Sequence, residues 1–277
     1  MIISIASGKG GTGKTTVATN LAFAIEKAHI LDCDVEEPNS HIFIKPEITS
    51  KKPVYIPVPE IDKSKCDFCG KCAEVCAFKA LAVLKDKVLV FTELCHGCGA
   101  CEYLCPQKAI KEVNRTIGYI ETGTKEDLLF TGGKLNIGEA MATPIIKAVT
   151  GSVRPDMLNI IDAPPGTSCS MIESVTDTDY CILVTEPTPF GLNDMILSAE
   201  VLRKLKVPFG VLINRSDLGD NKTIEYCEKE NIPILMKIPF DKKIAKAYSQ
   251  GISIVEALPE YKQKFIDLYE SVKERLS

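Results

Sequence analysis

The sequence predicts an α/β fold, a mostly parallel sheet flanked by helices, interrupted by an inserted α+β unit. Three observations carry this. Apolar runs of strand length end on polar residues and are followed by segments of helical texture, the pattern of a sheet with crossover helices. The first run, Ile2–Ala6, leads into a glycine-rich loop and then an amphipathic segment marked by Val17, Leu21, Ala24 and Ile25. Most of the twelve cysteines fall in one stretch of different texture, placed between two parts of the α/β pattern.

Composition limits the reading further. A chain of 277 residues, 45% hydrophobic, can hold one large α/β domain and something smaller. No apolar run approaches the ~18 residues of a membrane span, and no basic segment or cleavage site precedes the first strand, so no signal peptide is expected. The net charge of −4 argues against a nucleic-acid surface. Without a secretory signal, twelve cysteines point to metal binding before disulfides. A cytoplasmic protein with no membrane and no nucleic-acid partner is expected.

Ser7-Gly-Lys-Gly-Gly-Thr-Gly-Lys-Thr-Thr16 fits G-x-x-x-x-G-K-S/T from Gly8 to Thr15, the loop of P-loop nucleotide-binding proteins. Small residues (Gly8, Gly10, Gly11, Thr12, Gly13) let successive backbone N–H groups curl around an anion, and the following helix aims its positive end there. Lys14 is expected on the β/γ-phosphates of ATP, the Thr15 hydroxyl on Mg²⁺, and Thr16 beside them. A glycine-rich turn without ligand is the bland alternative.

His29–Asp34 reads as a short strand ending in two aspartates, Asp32 and Asp34, where open α/β sheets place their ligands. Cys33 between them is expected to face inward as a small hydrophobe. From about Lys51 prolines punctuate the chain, and then come Cys66-x-x-Cys69-x-x-Cys72-x-x-x-Cys76 and Cys95-x-x-Cys98-x-x-Cys101-x-x-x-Cys105-Pro106. These are two copies of one unit; Gly70 maps onto Gly99 and Lys79-Ala80-Leu81 onto Lys108-Ala109-Ile110. The spacing resembles the bacterial ferredoxin run, in which the fourth cysteine of each copy ligates the other cluster. Cys66, Cys69, Cys72 and Cys105 are therefore assigned to one 4Fe–4S cluster, and Cys95, Cys98, Cys101 and Cys76 to a second. Zinc competes, but it does not call for the third and fourth cysteines at this repeat. Ala77 departs from the pattern, standing where the second copy has Pro106. The insertion is placed at residues 53–115, with 1–52 and 116–277 forming the nucleotide-binding domain. Val54–Ile56 and Ile110–Val113 are expected to pair as strands at its root.

Thr131-Gly-Gly133 reads as the opening of a loop, and Ile137–Val149 as a helix interrupted by Pro144. Met157–Asp162 is an apolar strand ending in Asp162-Ala-Pro-Pro-Gly166. Cys181–Thr185 and Phe209–Asn214 are further strands, with a helix over Leu192–Leu205 between them. A helix over Lys242–Gln250 should flank the nucleotide. The last helix carries Tyr261, Phe265, Leu268, Tyr269, Val272 and Leu276 at helical spacing, and its balanced charges suit packing better than a membrane surface. Asn214 can offer a donor and an acceptor to adenine or cap its strand.

The second lysine of the loop, Lys9, and the D-x-P-P-G run at Asp162 together resemble the deviant Walker A (Min-type) ATPases, which include the Mrp/Nbp35-type iron–sulfur carriers and the nitrogenase iron protein. With the cysteine repeat, the resemblance is to members containing an inserted two-cluster ferredoxin domain, and it extends over essentially the whole chain. It implies an ATP-sandwiching homodimer in which Lys9 reaches the partner's nucleotide. It also implies that Asp34 orients the attacking water, Asp162 lies in the Mg²⁺ outer sphere, the Gly166 N–H meets the γ-phosphate and Asn214 reads adenine. Cys169 has a counterpart at a similar offset in the nitrogenase iron protein, but its companion is missing here, so a structural role is expected. Two functions follow: nucleotide-gated electron transfer through the clusters to a redox partner, which the complete four-cysteine sets favour, or delivery of clusters to an apo acceptor. A positioning ATPase with purely structural clusters is the third.

Overall fold

The computed structural model describes residues 1–25 and 27–276. In chain order its elements are β1 (Ile2–Ala6), α1 (Lys14–Ile25), β2 (Ala28–Asp32), α2 (Ser40–Ile44), β3 (Glu47–Ile61), α3 (Lys71–Val75), β4 (Leu81–Val83), β5 (Val88–Val90), α4 (Ala100–Tyr103), β6 (Ile110–Lys125) and β7 (Leu128–Leu135). They continue with α5 (Thr143–Thr150), β8 (Leu158–Asp162), α6 (Cys169–Val175), β9 (Tyr180–Thr185), α7 (Pro189–Leu205), β10 (Phe209–Asn214), α8 (Lys222–Lys229), β11 (Ile234–Ile238), α9 (Lys242–Ser249), α10 (Ile254–Ala257) and α11 (Glu260–Leu276).

Nine strands form one sheet in the order β11-β10-β9-β1-β8-β2-β7-β6-β3. From β11 to β7 neighbours run parallel, while β6 is antiparallel to β7 and β3 to β6. The central strands are short and apolar because both faces are covered. Alternation decides which helix each side chain meets. Ile3, Ile5, Ile182 and Val184 pack with Val17 and Leu21 of α1 and Phe265, Leu268 and Val272 of α11. Ala6, Cys181 and Leu183 face the other way, against Met171 of α6 and Met195 and Leu202 of α7. Of the α11 residues expected to pack, Tyr261, Phe265, Leu268 and Val272 are buried and Tyr269 is partly so, while Leu276, in the last turn of the helix, is exposed.

Three expectations need correction. Thr131-Gly-Gly133 is no loop; it lies inside β7, paired with Leu31 and Asp32 on one side and Ile120–Thr122 on the other. A Cβ on Gly133 would stand 2.6 Å from Ile145 and Val35, so glycine here marks a close approach of α5 to the sheet. The segment before Pro144 is not helical, and Ile137 is fully exposed; α5 starts at Thr143 with Pro144 in its first turn, where a missing N–H costs nothing. Val54–Ile56 and Ile110–Val113 both lie in the paired strands but not opposite each other: Val54 faces Gly118, and Ile110 faces Ile61.

That register has a consequence for domain organisation. β3 and β6 form one ribbon from Glu47 opposite Thr124 to Ile61 opposite Ile110. It crosses positions 53 and 115 without a linker, so the cysteine-bearing unit grows from the sheet edge on two hydrogen-bonded strands. At the ribbon's far end sit α3, α4 and the β4–β5 hairpin.

Candidate functional site

The glycine-rich loop runs from β1 into α1 at the C-terminal edge of the parallel strands. The Ser7 hydroxyl donates to the Lys9 carbonyl at 2.6 Å. Gly8 is required by contact: a Cβ there would fall 2.2 Å from the Asp194 carbonyl of α7. Gly13 has φ +99°, and a Cβ on it would meet Asn214 Nδ2 at 2.6 Å. A Cβ on Gly10 or Gly11 would meet nothing within 4 Å, so this side of the loop is open. It opens onto a cavity of about 450 Å³, the size range of small-molecule sites. The loop and the start of α1 line it (Gly10, Gly11, Gly13, Lys14, Thr15, Thr16), with Asp34, Asn214, Pro239, Phe240, Ile244 and Tyr248.

The electrostatics suit a polyanion with a divalent cation. Lys14 is buried at the start of α1, and burial lowers its pKa against the pull of Asp162, Asp34 and Asp32. Desolvation raises the Asp162 carboxyl, opposed by the nearby Thr15 hydroxyl, Lys14 and Ser40. It also holds the Asp32 carboxyl well above the carboxylate range, with the repulsion of Asp162 adding to it. Asp34, half-buried, is pushed up to about 6 by burial, with Lys14 opposing. Among the described residues, Asp162 Oδ1 and Thr12 Oγ1 are buried without a hydrogen-bond partner. An unpartnered carboxylate oxygen near the Thr15 hydroxyl fits a hydrated Mg²⁺, which would supply the charge that these aspartates lack.

Several expected residues are engaged within the chain. Asp32 accepts from the backbone N–H groups of Asp34, Asn39 and Ser40 at 3.2, 3.2 and 3.0 Å, so it shapes the loop after β2. Cys33 is fully buried, as a small hydrophobe. Asn214 Nδ2 donates to the Thr12 carbonyl at 2.8 Å, and its Oδ1 accepts from the Arg215 N–H at 3.0 Å. Gly166, at φ +91°, donates its N–H to the Ser7 carbonyl at 2.9 Å, so here that group braces the phosphate loop. Lys9 Nζ pairs with Glu186 at 3.7 Å. Cys169, expected in a structural role, is exposed at the first position of α6. Sequence reasoning missed Ser40, whose hydroxyl donates to Asp162 Oδ2 at 2.9 Å. It also missed Glu186, which has no motif around it. The Pro38-Asn39-Ser40 stretch, a helix-start signal, could have drawn attention to Ser40.

On the ribbon's far end the cysteines divide between two small cavities. Cys66, Cys69, Cys72 and Cys105 line one; Cys76, Cys95, Cys98 and Cys101 line the other. The two copies share backbone as well as spacing, since Phe68 and Gly97, Gly70 and Gly99, and Lys79 and Lys108 all adopt positive φ. In each copy the fourth thiol accepts a backbone N–H at 3.3 Å, Cys76 from Ala80 and Cys105 from Ala109. Among the described residues, no three His, Cys, Asp or Glu side chains converge closely enough for a single metal ion. Four thiols around each cavity, with N–H groups on sulfur, are a donor set that fits a 4Fe–4S cluster. Burial pushes the Cys101 thiol up to about 11 and raises Cys72 and Cys95, so thiolate ligation would release protons.

A family model described as the CobQ/CobB/MinD/ParA nucleotide binding domain matches residues 3–254. An uncharacterized protein of Methanocaldococcus jannaschii is 33% identical over 92% of this chain and 92% of its own. An iron-sulfur cluster carrier protein of Pyrococcus abyssi is 27% identical over 91% of this chain and 78% of its own. The septum site-determining protein MinD of Pyrococcus horikoshii, solved with Mg-ADP, superposes with a TM-score of 0.60 at 22% identity, covering 98% of this chain and 95% of that one. The last likeness concerns the fold. Among the described residues no helix is long and apolar enough to cross a membrane.

Proposed function

Because the chain belongs to the CobQ/CobB/MinD/ParA nucleotide-binding family, we propose that it is an ATPase whose nucleotide state gates electron transfer through two 4Fe–4S clusters to a partner protein. One observation supports the gating. A single hydrophobic core holds Leu31, Cys33 and Val35 around the Asp34 loop together with Ile56 and Val58 of β3 and Ile117 of β6, and Cys95 packs against it. Cys95 also packs against the core of the cysteine unit, with Cys76 and Cys101. Gly97, in the loop after Cys95, is so near the ribbon that a Cβ would stand 3.0 Å from Pro57. Packed cores transmit displacements because they cannot be compressed continuously.

The roles then divide by chemistry. Lys14 neutralises the β/γ-phosphates, Thr15 and Asp162 hold Mg²⁺ directly and through water, and Asn214 stands at the base. Asp34 orients the attacking water, and its elevated pKa suits a group that accepts a proton near neutrality. Gly166 exchanges the Ser7 carbonyl for the γ-phosphate, a bond made only while that phosphate is present. Lys9 crosses to the nucleotide of a second copy, so the working form is an ATP-dependent homodimer. The clusters, when bound, supply one-electron carriers whose potential depends on hydrogen bonds to sulfur and on exposure.

A second reading, ATP-driven delivery of clusters to an apo acceptor, is favoured by the naming of relatives such as the Pyrococcus abyssi protein as iron-sulfur cluster carriers. The deciding experiment mixes reduced protein, ATP and an iron-free ferredoxin under argon and follows the iron. Iron that stays while the clusters oxidise supports gating; iron that moves stoichiometrically into the acceptor replaces it with delivery.

A further inference from the structure

Glu186, directly after β9, is only 8% exposed, and two cations share its carboxylate. Oε1 lies 2.8 Å from Arg215 Nη1, an ion pair without hydrogen-bond geometry, and Oε2 lies 3.7 Å from Lys9 Nζ. Both cations belong to the nucleotide site: Lys9 lies in the glycine-rich loop, and Arg215 lines the 450 Å³ cavity. The contacts close into a circuit, because Arg215 N–H donates to Asn214 Oδ1 and Asn214 Nδ2 donates to the Thr12 carbonyl. Glu186 thus ties both ends of the loop, at Lys9 and through Asn214 at Thr12, to the tips of β9 and β10.

The two arms differ in length. Arg215 is at φ +50°, a backbone position an arginine seldom takes, and its pair is short. Lys9 is one-third exposed, at 34%, and Arg215 about half, at 49%, so distance is what separates the arms: the Lys9 pair is the long one. A carboxylate so nearly out of water holds a counter-ion, and the short arm provides it. The long arm is the one that a competing anion can detach. A triphosphate entering the cavity brings such charge to both cations at once.

We infer that Glu186 is a positioning residue that keeps Lys9 within its own chain until nucleotide arrives, and so sets the nucleotide concentration at which Lys9 is released to a second copy. This rests on the reading that Lys9 acts across a homodimer. The test is sedimentation velocity of the cluster-loaded full chain, titrated with a non-hydrolysable ATP analogue. In Glu186→Gln, which keeps the shape and removes the charge, half-maximal dimerisation is expected at about two- to fivefold lower analogue concentration, the scale of a partly exposed ion pair. Glu186→Asp, which keeps the charge but shortens its reach across the already long Lys9 pair, is expected to shift the same way, and it serves if the glutamine variant does not fold. Lys9→Ala is expected to stay monomeric, and Lys9→Ala/Glu186→Gln to match it. An unchanged or raised threshold in the folded Glu186 variants, with Lys9→Ala monomeric, overturns the positioning role and leaves the dimer reading intact. Dimerisation of Lys9→Ala at the ordinary threshold overturns both.

Discussion

Replacing Asp34 with asparagine should stabilise the nucleotide-free protein while impairing its chemistry. The folded carboxyl titrates near 6, against a usual value of 3.8, with burial as the main cause. The native state therefore binds this proton more tightly than the unfolded state, and stability contributed by the protonated group is lost as pH rises from about 4 to about 6. At about 1.4 kcal/mol per pKa unit the ceiling is about 3 kcal/mol. Asp34 is only half-buried, so screening by water lowers this to about 1–2 kcal/mol. Asp32 and Asp162 are also raised, so each contributes stability that is lost as pH rises above the usual carboxylate range. Urea unfolding of anaerobic, nucleotide-free protein at a series of pH values should show wild type losing stability between pH 4 and 6. Asp34→Asn should be flatter there and about 1–2 kcal/mol more stable at pH 7.5. The variant should bind ATP and hydrolyse it at least tenfold more slowly. A variant less stable than wild type at pH 7.5, or a wild-type stability that rises through this window, would refute the reading that desolvation outweighs the partners of these aspartates until Mg²⁺ and nucleotide arrive.

Gly13→Ala should lower ATP affinity about 10- to 100-fold by calorimetric titration, since it forces an alanine to φ +99° and drives a Cβ into Asn214 Nδ2. Protein purified without oxygen should carry about eight iron and eight sulfide, and Cys101→Ala and Cys105→Ala should abolish different cluster signals in electron paramagnetic resonance; damage to the same cluster would contradict the crossed ligation. Ile117→Ala, at a fully buried position of the ribbon in the core shared with the Asp34 loop, should cost about 2–5 kcal/mol in urea unfolding. It should also shrink any shift in midpoint potential that an ATP analogue induces; an undiminished shift would mean that coupling runs elsewhere.

What could be read from the residues alone was whatever chemistry depends on short spacing. A phosphate loop needs small residues, a lysine and a hydroxyl within a few positions, so Gly8–Thr15 announced itself. Thiols that wrap a cluster must recur every third residue, so the two cysteine copies did too. Parallel strands buried on both faces are apolar throughout, which made β1, β8, β9 and β10 legible. Contacts between distant segments decided the rest. Glycine usually signals a turn, but Gly133 sits in a strand because Ile145 and Val35 leave no room for a side chain. Ser40 and Glu186 carry no local signature; Ser40 matters because α2 brings its hydroxyl to Asp162 across 122 residues of sequence. The register of β3 on β6 was equally hidden, since a proline-punctuated strand pairs with whatever the sheet edge presents. That register alone turns the cysteine unit from an appendage on linkers into a continuation of the sheet, packed on the core that surrounds Asp34.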